Sequence, residues 1–214
     1  MMALRNPAPR VIVWTKAGLF VLALLPLARL VWLGFTGGLG ANPIEFITHS
    51  TGTWTLVGLL ATLSVTPLRK LSGWNWLLRL RRMLGLFAFF YASLHFTTYI
   101  WLDQFFDLHA VFKDVIKRPF ITVGFLAFVL LIPLAVTSTN AMVKRLGGKS
   151  WQRLHRLVYA IAILGVLHYW WLVKKDLTQP LIYALILAAL LAYRVLLKVN
   201  FSSLGGLRKP SLEK

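Results

Sequence analysis

The chain has 214 residues, 58% of them hydrophobic, and a mean hydropathy of +0.70, more apolar surface than a soluble domain of this size can bury. Its formal charge of +18 would suit a nucleic-acid binder, but the basic residues collect in alternate loops, so the charge reads as a membrane-orientation signal and no nucleic-acid partner is expected. With no cysteine, disulfides, cysteine-ligated iron–sulfur clusters and thioether-attached haem are excluded.

The expected fold is all-α: a polytopic bundle of six transmembrane helices in contact with lipid, one domain over residues 1–214. Six apolar stretches approach the roughly 20 residues that cross a bilayer as helix: 11–33, 46–66, 83–102, 119–137, 154–173 and 179–198. The first contains Pro26 and Arg29. It is too long for a signal-peptide core and is expected to be retained. Arg29, near its outer end, is read first as snorkelling to the interface and second as a cofactor contact. The GGLG that follows at 37–40 is no phosphate cradle, because no strand precedes it and the full glycine spacing is missing.

The second stretch begins with His49 among threonines and serines. His49 is either an interfacial histidine in water or a hydrogen-bond partner for a cofactor or quinone near the outer face. The third places His95 well inside, with Asp103 and Asp107 at its outer exit. The fourth carries Pro133, a predicted kink, and ends in TSTN. The fifth, LHRLVYAIAILGVLHYWW over 154–171, holds His155 and His168, and the sixth shows no evident chemistry.

Arg5, Arg10 and Lys16 lie at the start of the first stretch, and Arg69, Lys70, Arg79, Arg81 and Arg82 join the second to the third. Lys144, Arg145, Lys149, Arg153 and Arg156 join the fourth to the fifth, and Arg208, Lys209 and Lys214 follow the sixth. Both termini are therefore expected on the cytoplasmic side.

This orientation sets the depth of the histidines. His95 lies thirteen positions beyond Arg82, and His168 twelve beyond Arg156. At about 1.5 Å per residue both imidazoles sit roughly 18–20 Å past the inner basic boundary, level with each other. Ionisable groups at such depth are functional candidates. Two neutral imidazoles on helices running the same way could hold one haem iron from opposite sides, and a saturated iron favours electron transfer over chemistry at the metal. Gly85 and Gly165 could leave space for a flat macrocycle, and Phe89, Phe90, Tyr91, Phe96, Tyr169 and Trp170 could line it, although ordinary helix packing uses the same residues.

The bland reading is two separate histidines, each hydrogen-bonded across helices. A second haem is not expected. His155 points roughly 140° away from His168 on an ideal helix, and His109 lies beyond Asp103 and Asp107, outside the membrane. His155 is instead expected to touch a cofactor, a propionate or a quinone near the cytoplasmic face. The competing function is a small transporter or proton relay, against which stands the lack of an intramembrane carboxylate to pair with the histidines. A scaffold whose histidines merely join helices is a third.

The segments GGLGANPIEFITHSTG, RRMLGLFAFFYASLHFTTY, VTSTNAM and WQRLHRLVYAIAILGVLHYWW resemble the MsrQ (YedZ) family over nearly the whole chain. That family comprises haem-binding membrane subunits of the bacterial periplasmic protein-methionine-sulfoxide reductase system, within the wider ferric-reductase-like transmembrane group. The resemblance implies an inner-membrane subunit carrying haem b and FMN; the histidine positions of this sequence favour one haem per chain. Such a subunit would pass electrons from the quinone pool or a cytosolic flavin reductase to a periplasmic molybdopterin methionine sulfoxide reductase subunit, an electron-transfer role rather than the catalytic one. The family's histidine positions fall on His95, His155 and His168. The wider group often has two histidines on each of these helices and two haems; here the second position of the third stretch is filled only by His109. The cluster of Arg79, Arg81, Arg82, Lys149 and Arg153 is the candidate attractor for an FMN phosphate.

Overall fold

The computed structural model describes residues 7–206, with side chains as far as Leu197. Arg5, Arg208, Lys209 and Lys214, used above for orientation, lie outside the described residues. Every regular element among them is helical: α1 (Pro9–Phe35), α2 (Pro43–Ser72), α3 (Arg81–Thr98), α4 (Leu108–Lys117), α5 (Pro119–Val136), α6 (Asn140–Leu146), α7 (Gly148–His155), α8 (Leu157–Leu172) and α9 (Thr178–Gly206). A short 3-10 turn, Asn75–Arg79, leads into α3, and a π turn, Tyr99–Asp103, ends it.

Local sequence explains most of these boundaries. Pro9, Pro43 and Pro119 occupy first-turn positions, where a missing N–H costs nothing. The Asn42 side chain accepts from Glu45 N at 3.3 Å and caps α2, and Gly73 closes that helix at φ 73°, a left-handed conformation that glycine adopts without strain. Asp107 caps α4 by accepting from Ala110 N at 3.0 Å, after Phe105 and Phe106 take left-handed φ values of 49° and 61° to turn the chain.

Five helical segments are long and apolar enough to cross a membrane by length and composition: 9–35, 43–72, 75–103, 119–136 and 178–197. The expected span 154–173 is divided. α7 ends at His155, Arg156 makes the break, and the apolar part, α8, has sixteen residues. At about 1.5 Å per residue that is about 24 Å, short of a hydrocarbon core of roughly 30 Å. The break has a physical cause at the end of α5. There Trp151 Nε1 donates to the Thr137 carbonyl at 2.8 Å, His155 Nε2 meets Thr137 Oγ1 at 3.0 Å, and the Trp151 and His155 rings stack at 3.8 Å. These contacts hold polar α7 to the end of α5, and the chain restarts beyond Arg156 as apolar α8.

The core sits between four helices. Leu56, Leu59, Leu60 and Leu63 of α2 meet Ala88 and Ala92 of α3, Leu131 and Leu134 of α5, and Val158, Ile161, Ala162 and Val166 of α8. The α2–α3 and α5–α8 pairs pack most extensively, with α1 outside against α2 and α9 against α2 and α8. Gly58 lets α2 and α3 approach closely: a methyl group placed there would lie 3.0 Å from Ala88 Cα. The outward faces of α1 and α9 expose Trp14, Phe20, Leu22, Leu185 and Val195, the surface a lipid-embedded bundle presents.

Span six does contain chemistry that its apolar pattern hid. Arg194 donates to the carbonyls of Leu63 and Leu190, and its guanidinium lies 5.5 Å from the centre of the Tyr159 ring. An intramembrane cation is thus satisfied by backbone carbonyls and a ring face, and it ties α9 to α2 and α8.

Candidate functional site

Between α2, α3, α5 and α8 lies a cavity of about 490 Å³, within the rough 300–1,000 Å³ range of cofactor sites. His95 on α3 and His168 on α8 both line it, their ring centres 6.0 Å apart and their planes at 76°.

Each ring is fixed in the same way. His95 Nδ1 donates to the Thr48 carbonyl of α2 at 2.9 Å, and His168 Nδ1 donates to the Phe120 carbonyl of α5 at 2.6 Å. A carbonyl has no proton to give, so both Nδ1 atoms carry the hydrogen and both Nε2 atoms keep a lone pair. This is the tautomer a metal-binding histidine needs, with the second nitrogen oriented by a backbone oxygen.

One helical turn beyond each accepting carbonyl stands a glycine, Gly52 after Thr48 and Gly124 after Phe120. A methyl group on Gly52 would lie 3.1 Å from His95 Nδ1, and one on Gly124 would lie 2.6 Å from His168 Nδ1. The imidazoles therefore rest against bare helix backbone, and no larger residue fits without moving them. The two halves match: a carbonyl and a glycine one turn apart on one helix, a histidine on its partner.

The separation suits one metal ion between two rings. A metal–imidazole bond of about 2 Å plus about 1.1 Å from nitrogen to ring centre, on both sides, gives about 6 Å. Thr48, which also lines the cavity, has a buried Oγ1 with no hydrogen-bond partner among the described residues. Of the sequence-predicted lining, Phe96, Gly165 and Tyr169 are present. Gly85 is not: it faces Thr62 Cγ2 at 3.9 Å and serves α2–α3 packing. Tyr91 turns away as well, its hydroxyl donating to the Ala23 carbonyl of α1 at 2.6 Å.

The remaining histidines fall elsewhere or at the rim. His49 lines the cavity at its exposed end. His109 is exposed on α4. His155 lies in the Thr137–Trp151 cluster and does not line the cavity, so the structure separates it from the histidine pair, with Arg81 and Arg82 within its electrostatic reach. Arg82 and Arg153 are both exposed, and Arg29 lies over the Phe46 ring at 5.8 Å instead of entering the cavity. Gly52, Gly124 and the Thr48 and Phe120 carbonyls were missed in the sequence. The only signal was a glycine four residues after an accepting position in both FITHSTG and FITVG, which has no meaning until the partner helix is known.

Such a site, in a helical membrane bundle, defines a class. Residues 14–166 match the ferric reductase like transmembrane component family, so the chain is a multi-pass membrane protein of that class. A relative from Herminiimonas arsenicoxydans is 65% identical, covering 89% of this chain and 88% of its own. Relatives from Azospira oryzae and Rhodospirillum rubrum are each 57% identical, covering 92% of this chain and 85% and 93% of their own lengths. All three are named protein-methionine-sulfoxide reductase heme-binding subunit MsrQ, and the chain belongs to the MsrQ family.

Proposed function

We propose that this chain holds one b-type haem between His95 and His168 and serves as the electron-transfer subunit of a methionine sulfoxide reductase system. The observation that carries the reading is the histidine pair: ring centres 6.0 Å apart, both Nδ1 atoms bound to backbone carbonyls, both Nε2 atoms left for a metal. The relatives' naming as heme-binding subunits supports it.

Held by His95 and His168, haem would supply a one-electron redox centre there. The chain's own residues do the rest. The Thr48 and Phe120 carbonyls fix the tautomer and orientation of each imidazole. Gly52 and Gly124 allow the rings to retreat far enough to leave a slot. Below the slot, Leu56, Leu59, Leu131 and Ile161 line a dry wall toward the core.

The finer reading places the chain in the bacterial inner membrane with both termini cytoplasmic, supported by the basic residues of alternate loops. Electrons enter from the quinone pool or a cytosolic flavin reductase and leave to a periplasmic molybdopterin subunit that reduces methionine sulfoxide. The family resemblance extends the proposal to FMN at the cytoplasmic side, where Arg82 and Arg153 offer exposed cations around His155.

Proteoliposomes test this. With reduced flavin generated inside by a flavin reductase and a membrane-impermeant ferric oxidant outside, wild-type protein should reduce the oxidant across the bilayer and His168→Ala should not. No transmembrane reduction by the haem-loaded wild type, or equal rates in both proteins, would contradict the proposal.

A further inference from the structure

The mouth of the cavity carries one arginine, Arg118, which the site described so far does not use. It caps the N-terminus of α5, two residues before Phe120, whose carbonyl orients His168. Its Nε pairs with Asp114 Oδ1 at 3.3 Å, and its side chain is 53% exposed against 16% for Asp114. The other Asp114 oxygen, Oδ2, lies 3.4 Å from the Tyr99 hydroxyl and 3.3 Å from Gln104 Nε2, both of which donate to it. Asp114 is therefore a hub fixed from three sides, and it holds the guanidinium at the cavity rim by one edge only. Among the described residues the two terminal nitrogens of Arg118 make no hydrogen bond or ion pair, which leaves a planar donor edge free.

Two carboxylates share this rim, but both have donors of their own. Glu45 accepts from Asn42 Nδ2 at 2.8 Å, and Asp103 accepts from Gln104 Nε2 at 3.2 Å. On α2, His49 lines the same rim beside Thr48, whose carbonyl orients His95. Each proposed metal ligand thus has a nitrogen donor next to its orienting carbonyl: His49 on one side, Arg118 on the other. Among the described lining residues the charged ones gather at this rim, while the deeper wall is apolar.

We propose that Arg118, positioned by Asp114, is a carboxylate-binding residue that takes a propionate of the macrocycle at the outer rim, with His49 as the donor on the facing helix. The inference rests on the haem reading above and adds an orientation to it: propionates toward the outer face, apolar edge toward the core. A guanidinium–carboxylate contact at a half-exposed rim should be worth roughly ten- to a hundredfold in affinity.

The test titrates full-length protein, made under haem depletion and held in detergent, with haemin and separately with haemin dimethyl ester, which has no carboxylates. Arg118→Gln should weaken haemin binding by about ten- to a hundredfold and leave the ester's affinity at the wild-type value. Arg118→Lys should restore part of the loss, and Asp114→Asn should weaken haemin selectively by a smaller factor. The ester doubles as a folding control within each variant. Equal loss for both ligands would make Arg118 structural, and no loss for haemin would leave it uninvolved; either overturns the inference while the histidine pair stands. Wild-type protein that binds neither ligand would overturn the haem reading itself, and this inference with it.

Discussion

Two glycines decide how far His95 and His168 can withdraw from the space between them. The clearance is tighter at Gly124, where an added methyl would sit 2.6 Å from His168 Nδ1, than at Gly52, where it would sit 3.1 Å from His95 Nδ1. Overpacking of this kind costs about 1–3 kcal/mol, here borne by the ring's hydrogen bond and position. Gly124→Ala should therefore lower haem content per chain more than Gly52→Ala does, read from absorption of equal amounts of purified protein; the reverse order would contradict the assignment of the rings to these clefts. The planes of the two imidazoles also carry a spectroscopic expectation. If the rings kept their 76° angle around a bound iron, their π orbitals would address different d orbitals and leave that pair nearly degenerate. The ferric protein should give a strongly anisotropic low-spin electron paramagnetic resonance signal, unchanged in His155→Ala. A rhombic signal of ordinary spread would place the rings parallel instead.

At the scale of elements, the helices pack chiefly as two pairs, α2 with α3 and α5 with α8. A methyl added at Gly58 would lie 3.0 Å from Ala88 Cα on α3, and backbone cannot yield as a flexible side chain can. Gly58→Ala should lower stability by about 1–3 kcal/mol, seen as a lower thermal midpoint in detergent, because it pries apart the pair that holds His95. The α5–α7 junction makes a different prediction. Thr137 Oγ1 is a partner of His155, and Thr137→Val should cost about 0.5–1.5 kcal/mol while leaving haem content at the wild-type level. A loss of haem in that variant would tie His155 to the cofactor after all. This junction also explains why the expected helix over 154–173 divides. Periodicity registers an apolar face, and His155 continues that face well enough, but contacts made with Thr137 eighteen residues earlier decide where the helix breaks. Arg194 escaped for the same reason, since the Leu63 carbonyl it binds lies 131 residues away in the chain. That His95 and His168 stand level with each other, by contrast, could be counted from the basic boundaries, and their rings meet 6.0 Å apart.

For the molecule as a whole, four central helices enclose the cavity, and on the proposed reading electrons would enter and leave at the two ends of the bundle. The acidic residues among those described, Glu45, Asp103, Asp107, Asp114 and Asp176, lie near one end of the bundle, where the cavity opens. The basic loops before α3 and around α7 lie toward the other. That asymmetry was legible in composition; the rim that distinguishes Arg118 from other surface arginines was not, since it needs the fold of α4 against α5. On the proposed reading, one haem is held by His95 and His168 and by no other pair. The direct test is a reduced-minus-oxidised absorption spectrum of purified protein with haem counted per chain, for the wild type and for His95→Ala, His168→Ala and His155→Ala. One low-spin b-type haem per wild-type chain, lost in the first two variants and kept in the third, is the predicted result. Haem retained in full by His95→Ala or His168→Ala, or a colourless wild type produced with ample haem, would contradict it.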